Sequence, residues 1–306
     1  MNREKIIVGA ETAYPLNGEL VVPEEMERPV PAVVMVHGSG PSNMDEKVMK
    51  LTPFRDLAEG LVRHGIASLR YDKRTFAHRK KLAAMKDITV EEETVEDAIR
   101  AVGLLKKDER IDHDRIFIIG HSMGAMLAPR IDAEGGDVRG LVMMAGTPHR
   151  LEEVVMRQLG QTENANGFVK WIVGLERKIY AGKFENLYGL SDEEAKKRKF
   201  AGNLSLYYFK EMGQKTAADY LLENRKPVLI MQGGKDFQVL PEDDYRSFRE
   251  LLSERENTEY RLYPELNHCF VKGIYSDILK ASKEYSVERH IGEDVIEDIA
   301  SFILNN

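Results

Sequence analysis

The stretch Gly120-His121-Ser122-Met123-Gly124 decides how the rest of the chain is interpreted. The five residues before it, 115–119, are β-favouring and mostly apolar, as in a strand buried inside a parallel sheet. The residues after it, 125–128, favour helix. A strand that enters a helix through G-x-S-x-G is typical of a nucleophile elbow, in which the serine occupies the tip of a sharp turn. The pattern favours a catalytic Ser122 over an ordinary strand-to-helix turn.

Composition and charge limit the classes of protein to which the chain can belong. Its 306 residues suffice for one large α/β domain or two modest ones, and its net charge of −7 argues against a nucleic-acid partner. The single cysteine, Cys269, excludes an internal disulfide or a cysteine-built zinc site and fits a reducing compartment. The first residues lack the apolar stretch of a signal peptide, and no apolar run is long enough to cross a bilayer. We therefore expect a cytoplasmic protein that binds no membrane, metal or cofactor.

Strands and helices alternate over most of the chain. A hairpin with its turn at Asn17-Gly18 comes first, because Asn-Gly between apolar runs is a strong hairpin signal. The predicted elements that follow are strands at 32–36, 66–71, 115–119, 138–145, 228–231 and 259–263 and helices at 53–65, 94–107, 243–252 and 294–304. This alternation predicts a mainly parallel sheet with helices on both faces.

The alternation is interrupted between Gly146 and Asn224, where the patterns are those of helices and loops alone. We predict a helical cap insert at 146–225 and an α/β core made of 1–145 and 226–306. Most aromatic side chains of the insert are expected to pack it together, and Tyr207 and Tyr208 are proposed as pocket walls. Two adjacent residues of a helix cannot both face the same core, so only one of them should point inward. The glycosylation sequon at Asn203 is interpreted as chance.

A basic segment follows the strand at 66–71. It contains Asp72-Lys73-Arg74 and the stretch 78–81. Charged loops of this kind are usually solvated, and we favour a surface role over substrate binding.

The glycine-rich stretch His37-Gly38-Ser39-Gly40 lies at the end of the strand at 32–36. Acyl transfer needs two backbone N–H groups directed at the oxyanion that develops on the substrate. In an elbow enzyme one comes from the residue after the nucleophile, here Met123, and the other from a loop after an earlier strand. We predict Ser39 as the second donor, with Gly40 as the alternative, rather than a plain glycine turn.

A serine nucleophile needs a base, usually a histidine that a carboxylate orients. Of the histidines after Ser122, only His268 lies on a loop just after a late strand. Asp236 occupies the end of the preceding buried strand, whereas its rivals Asp243 and Asp244 fall within the next predicted helix. The chain order Ser, Asp, His is that of elbow hydrolases.

Four motifs in this order resemble the α/β-hydrolase superfamily over about the whole chain. They are His37-Gly38-Ser39-Gly40, the elbow, Lys235-Asp236-Phe237-Gln238-Val239 and Leu266-Asn267-His268. The sequence is most similar to bacterial serine esterases related to dienelactone hydrolases and to cinnamoyl and acetyl esterases, although dienelactone hydrolases proper have cysteine where this chain has Ser122. The resemblance implies a triad of Ser122, Asp236 and His268 and the oxyanion donors Ser39 and Met123. It also implies a mostly structural role for the segment Arg70-Tyr71-Asp72-Lys73-Arg74.

These observations predict a serine carboxylesterase that hydrolyses short-chain or compact acyl esters through an acyl-enzyme. An aminopeptidase or a thioesterase of the same fold stays open, as does a ligand-binding protein that has kept the fold without turnover. The expected partner is a small-molecule ester, and the sequence leaves a homo-oligomer open.

Overall fold

The computed structural model describes residues 1–306 apart from Lys86, 163–166 and Asn203, and it excludes the side chains of 167–173. The sequon at Asn203 therefore lies outside the described residues. So does the side chain of Trp171, one of the aromatic residues of the predicted insert.

The strands of the structure are β1 (Asn2–Val8), β2 (Leu16–Val22), β3 (Val30–Val36), β4 (Ala67–Tyr71), β5 (Ile111–His121), β6 (Gly140–Met144), β7 (Lys199–Ala201), β8 (Leu204–Ser205), β9 (Val228–Gly233) and β10 (Thr258–Tyr263). In the described part of the chain, eight of them form one sheet in the order β1-β2-β4-β3-β5-β6-β9-β10. β1 and β2 are antiparallel to their neighbours, and all other pairs in this sheet are parallel. The predicted mainly parallel sheet is confirmed, and this is the architecture of an α/β-hydrolase.

The α-helices are α1 (Pro53–Leu61), α2 (Arg74–Ala77), α3 (Arg79–Ala83), α4 (Glu96–Leu105), α5 (Met123–Ile131), α6 (Leu151–Gln161), α7 (Gly167–Phe184), α8 (Asp192–Lys197), α9 (Leu206–Met212), α10 (Ala217–Glu223), α11 (Arg246–Leu251), α12 (Ala281–Tyr285) and α13 (Glu293–Asn305). Short 3₁₀ turns occur at Val62–His64, Leu187–Gly189 and Ile278–Lys280. Turns of π-helix cover Glu91–Val95, Asp132–Gly136 and Pro241–Tyr245. No helix of the described residues is long and apolar enough to cross a membrane.

Successive residues of the central strands belong alternately to two hydrophobic clusters, one on each face of the sheet. Val34 and Ile118 belong to the cluster that includes α4 and α5, and Val33 and Phe117 belong to the cluster under α1 and α13. A strand points successive side chains to opposite faces, so a continuous apolar run is needed when both faces are covered. This explains the unbroken apolar runs at 32–36 of β3 and at 116–119 of β5.

The predicted hairpin turn is wrong in its position. β1 and β2 pair as an antiparallel hairpin, but the connection runs through residues 9–15, and Asn17-Gly18 lies inside β2. Gly18 is opposite Tyr71 of β4, and a Cβ at Gly18 would lie 2.9 Å from the carbonyl oxygen of Arg70. The glycine therefore serves the close approach of two strands rather than a turn.

The prediction of a solvated basic loop is wrong for its first half. Lys73 and Arg74 are each only 2% exposed. Arg74 forms a buried ion pair with Asp97 and a second with Glu96. Arg79, Lys80 and Lys81, further along, are exposed as expected. Charge alone did not separate the two halves, because burial of the first depends on carboxylates far away in sequence.

Between β6 and β9 the described residues form helices α6–α10 and one two-stranded antiparallel sheet, β7 and β8, which the sequence did not predict. Phe184, Phe200 and Phe209 form an aromatic cluster with ring centroids 4.6–5.3 Å apart. Leu206 and Tyr208 are buried within the same hydrophobic cluster as α4 and α5. The insert is thus packed directly onto one face of the core.

Candidate active site

Ser122 occupies the sharp turn between β5 and α5, as the motif predicts. Its backbone has φ +54° and ψ −118°, a strained conformation for a residue with a side chain. Its N–H donates to the carbonyl of Met144 at 2.9 Å, which ties the turn to β6. The side chain is partly exposed, whereas both neighbours in the sequence are buried. The turn therefore presents the hydroxyl of Ser122 to incoming molecules.

Glycines surround the turn because neighbouring atoms leave no room for a side chain at three positions. A Cβ on Gly120 would lie 2.3 Å from the carbonyl oxygen of Gly124. A Cβ on Gly124 would lie 2.1 Å from the carbonyl oxygen of Val36, at the end of β3. A Cβ on Gly38 would lie 3.1 Å from the Cβ of Ser122. The loop after β3 therefore passes directly against the nucleophile.

Replacing Gly124 by alanine is expected to lower the free energy of unfolding by roughly 1–3 kcal/mol, because the new methyl group meets backbone that cannot move alone. Gly103, within α4, has an ordinary helical backbone, and a methyl group placed on it would meet no atom within 4 Å. Gly103→Ala should therefore stabilise the protein by about 0.4–1 kcal/mol. Urea unfolding of both variants measures the difference. Equal midpoints for wild type and Gly124→Ala would contradict the packing argument.

His268 and Asp236 form a buried pair at the carboxyl ends of β9 and β10. The Nδ1 of His268 lies 2.7 Å from Oδ2 of Asp236. A carboxylate can only accept, so Nδ1 carries the proton and donates it, and Nε2 is left as an acceptor. Both residues are at most 5% exposed. This is the arrangement that a base acting on a serine hydroxyl requires.

The carboxylate of Asp236 is fixed by further donors. Oδ1 accepts the N–H groups of Gln238 and Val239 at 2.8 and 3.0 Å, and Oδ2 accepts the Nε2 amide of Gln232 at 3.0 Å. These bonds leave the carboxylate little freedom to rotate away from the imidazole.

The rival acids have other partners. Asp244 is completely buried and accepts two hydrogen bonds from Arg157, at 2.6 and 2.7 Å, and one from Thr147. Asp243 lies next to it on the same turn of π-helix, with its side chain 46% exposed. The structure thus brings only Asp236, of these three, to His268.

His121 joins the elbow to the loop that carries His268. Its Nε2 donates to the carbonyl oxygen of His268 at 2.9 Å, and the two rings lie 4.7 Å apart. Because His121 immediately precedes Ser122, this contact places the loop of His268 beside the nucleophile. On its other side Nδ1 lies 3.0 Å from Oε2 of Glu46, as an ion pair without the alignment of a hydrogen bond.

The Glu46–His121 pair is buried, and each group alters the pKa of the other. Burial opposes the charge on His121, but the carboxylate of Glu46 outweighs it and raises the pKa of His121 above its ordinary value. Burial opposes the charge on Glu46 too, but His121 and the N–H of Gly38 lower the pKa of Glu46. Nearby His37 behaves differently, because burial lowers its pKa to about 4. The site therefore contains an internal ion pair behind the elbow and a neutral imidazole beneath the glycine loop.

The predicted oxyanion donors come from two segments: Met123 directly follows Ser122, and Ser39 lies on the loop after β3. Met123 is the first residue of α5, where a backbone N–H has no partner within the helix. Within the described chain the N–H of Ser39 donates no hydrogen bond, and Ser39 and Gly40 are exposed. Gly38, just before them, donates its own N–H to Oε1 of Glu46 at 2.7 Å.

The two tyrosines chosen from the insert point in different directions. Tyr208 is 5% exposed and donates its hydroxyl to Oε2 of Glu93 at 2.8 Å. The same hydroxyl lies 3.6 Å from the sulfur of Met123, the residue after the nucleophile. Tyr207 lies under the ammonium of Lys196, 4.9 Å from its ring centroid. Only Tyr208 contacts the elbow.

Several residues of the site were missed from the sequence. They are Glu46, His121, Gln232, Glu93 and Lys73, all of which reach the site through tertiary contacts. Only His121, inside the elbow motif, and Gln232, at the end of a buried strand before Asp236, had a position that could have indicated such a role.

A model of the family described as serine aminopeptidase, S33, matches residues 27–272. The chain belongs to that family. It is also 35% identical over 293 residues to esterase EstD of Thermotoga maritima, a match that covers 96% of this chain and 66% of the relative. The chain thus spans slightly less than two thirds of the length of that relative.

Solved structures share the fold at low sequence identity. Est1E of Butyrivibrio proteoclasticus superposes with a TM-score of 0.57 and 16% identity, covering 98% of each chain. Esterase Pf2001 of Pyrococcus furiosus superposes with a TM-score of 0.59 and 15% identity, covering 99% of this chain and 91% of its own. These similarities show that the chain has the α/β-hydrolase fold.

Proposed function

We propose that this protein is a serine esterase that hydrolyses carboxylic esters of short or compact acyl groups through an acyl-enzyme. The observation that carries the proposal is the buried Asp236–His268 pair, 2.7 Å between Oδ2 and Nδ1, beside a strained and accessible Ser122. The 35% identity to an esterase supports the same class of reaction.

In the proposed mechanism the hydroxyl oxygen of Ser122 attacks the ester carbonyl carbon while Nε2 of His268 takes its proton. The carbonyl oxygen becomes an oxyanion that the N–H groups of Ser39 and Met123 stabilise. His268 then gives the proton to the departing alcohol, which leaves an acyl group on Ser122. Water repeats the attack with His268 as base, the acid is released and the hydroxyl is restored. Asp236 holds the imidazole in the tautomer that both steps need.

An aminopeptidase is the alternative, favoured by the description of the family. Such an enzyme needs a free carboxylate to bind the α-amino group of its substrate. Among the described residues, two buried carboxylates near the elbow already have cationic partners: Glu46 lies against His121, and Glu93, which accepts the hydroxyl of Tyr208, lies against Lys73. Neither can bind a substrate amine without losing its partner, so we favour the esterase.

The insert limits the size of the acyl group in this proposal. Tyr208 of α9 contacts Met123, and the cluster of Phe184, Phe200 and Phe209 packs behind it. A pocket with such a wall has a finite depth. Each buried methylene adds roughly 0.8 kcal/mol of binding until the pocket is full, after which further carbons remain in water or clash.

We therefore expect kcat/KM on p-nitrophenyl esters to rise over the first few acyl carbons and then to fall well before lipid-length chains. Tyr208→Ala should move the optimum to longer acyl groups, and Tyr208→Phe, which keeps the ring, should not. Tyr207→Ala is the matched control and should keep the wild-type optimum. Highest activity on long-chain triglyceride emulsions would contradict the cap argument, and faster cleavage of aminoacyl p-nitroanilides than of any ester would favour the aminopeptidase.

A further inference from the structure

A buried lysine lies behind the glycine loop that passes Ser122. Lys73 follows β4, is 2% exposed, and donates from Nζ to the carbonyl oxygen of Gly38 at 2.8 Å. The same ammonium lies 2.6 Å from Oε1 of Glu93, on the π-helical turn before α4. A lysine is rarely buried unless it is paired, so this one has a specific partner on each side.

The carbonyl of Gly38 and the N–H of Ser39 belong to one peptide group. The described chain contains no cis peptide bond, so the C=O bond of Gly38 and the N–H bond of Ser39 point in opposite directions. A lysine that holds the carbonyl on the buried side therefore turns the N–H of Ser39 away from the protein interior. The N–H of Gly38, in the preceding peptide group, is held by Oε1 of Glu46 at 2.7 Å. Two successive peptide groups are thus fixed by buried charged side chains.

The charge of Lys73 also makes the N–H of Ser39 a stronger hydrogen-bond donor. A cation bonded to a peptide carbonyl polarises the whole group and makes its N–H a stronger donor, as in other chains of hydrogen bonds. The effect is largest where water is excluded, which is the case for this pair.

From this geometry we infer that Lys73 is a positioning residue for the oxyanion hole: it orients and polarises the Gly38–Ser39 peptide so that the N–H of Ser39 meets the oxyanion. Glu93 balances the charge of Lys73, and its other carboxylate oxygen accepts the hydroxyl of Tyr208. The carboxylate of Glu93 thereby links Tyr208 of the insert to the glycine loop at 37–40 through Lys73. This inference rests on the proposed acyl transfer by Ser122.

The test compares Lys73→Met with the double variant Lys73→Met/Glu93→Gln, in which no buried carboxylate is left unpaired. The matched control is Arg74→Met/Asp97→Asn, which removes the neighbouring buried ion pair with no contact to the Gly38 carbonyl. Each folded variant is assayed for kcat and KM on p-nitrophenyl acetate and for the rate at which a fluorophosphonate probe modifies Ser122. Circular dichroism and thermal unfolding establish which variants are folded.

Loss of one oxyanion donor costs about 10²–10³-fold in kcat, and displacement of a retained donor should cost less. We expect the Lys73 variants to lose about 10–100-fold in kcat and in the fluorophosphonate rate, with KM within about threefold of wild type. The Arg74 control should lose thermal stability but keep both rates within about threefold.

A folded double variant with wild-type kcat and fluorophosphonate rate would overturn the inference and make the Lys73–Glu93 pair purely structural. Equal losses in the double variant and in the Arg74 control would overturn it as well. The probe separates this inference from the proposed function, because it reports on the oxyanion hole whatever the substrate class. A wild type that reacts with the probe but cleaves amides and no ester would refute the esterase alone. A wild type that ignores the probe would refute both.

Discussion

Replacing Ser122 by alanine is expected to lower kcat for ester hydrolysis by about 10⁴-fold or more, with the fold intact. The variant lacks the atom that attacks the ester, and no other hydroxyl occupies the tip of the turn. The oxyanion donors and His268 stay in place, so a residual rate above that in water should persist. Steady-state kinetics with a p-nitrophenyl ester, together with labelling by a fluorophosphonate, measures the loss.

Ser68→Ala is the matched control for this experiment. Ser68 lies in β4, fully buried, and its hydroxyl has no hydrogen-bond partner among the described residues. Its removal should leave kcat unchanged and the fold at least as stable, because an unpaired buried hydroxyl stabilises nothing. A folded Ser122→Ala protein that retains near wild-type activity would refute the assignment of the nucleophile.

Asp236→Asn is expected to lower kcat by roughly 10³–10⁴-fold. The asparagine oxygen can still accept the N–H groups of Gln238 and Val239, so the loop keeps its geometry. Its amide then faces Nδ1 of His268 as a donor, which forces the imidazole proton onto Nε2. In that tautomer His268 cannot take the proton of Ser122. The loss should therefore appear in kcat, while thermal unfolding shows a folded protein.

Two nearby acids make this prediction specific. Asp243→Asn changes an exposed carboxylate on the π-helical turn Pro241–Tyr245 and should leave kcat near the wild-type value. Asp244→Asn weakens a buried ion pair with Arg157 and should lower the thermal stability more than kcat. If one of these variants lost activity to the extent expected for Asp236→Asn, and Asp236→Asn did not, the acid would have been assigned to the wrong residue.

Sequence patterns correctly predicted those parts of the fold that depend on interactions among a few consecutive residues. The unbroken apolar runs of β3, β5 and β9 required a sheet covered on both faces, whatever helices covered it. The G-x-S-x-G stretch predicted a tight turn because its glycines are sterically necessary: a Cβ added to Gly124 would clash with the carbonyl oxygen of Val36. Ser122, Asp236 and His268 were chosen because each follows the end of a predicted strand, in the chain order of elbow hydrolases. Their roles in catalysis stay predictions until the variants are measured.

The same sequence patterns gave wrong predictions where a residue distant in sequence determines the local structure or the burial of a side chain. Asn17-Gly18 has the sequence of a hairpin turn, yet Gly18 is needed where β2 approaches the carbonyl of Arg70. Lys73 has the sequence of a solvated loop, yet Glu93 and the Gly38 carbonyl compensate its burial. Neither partner is adjacent in sequence.

The sequence by itself determined the class of fold and the turn that carries Ser122, and it predicted the acid and base expected to serve that serine. Each depends on steric and hydrophobic preferences that a few consecutive residues express. Only the tertiary structure decided which of Tyr207 and Tyr208 contacts the elbow, that Glu46 pairs with His121 of the elbow, and that Lys73 contacts the glycine loop beside it. A buried charge is stable only beside its counter-charge, and the fold alone brings such partners together across the sequence.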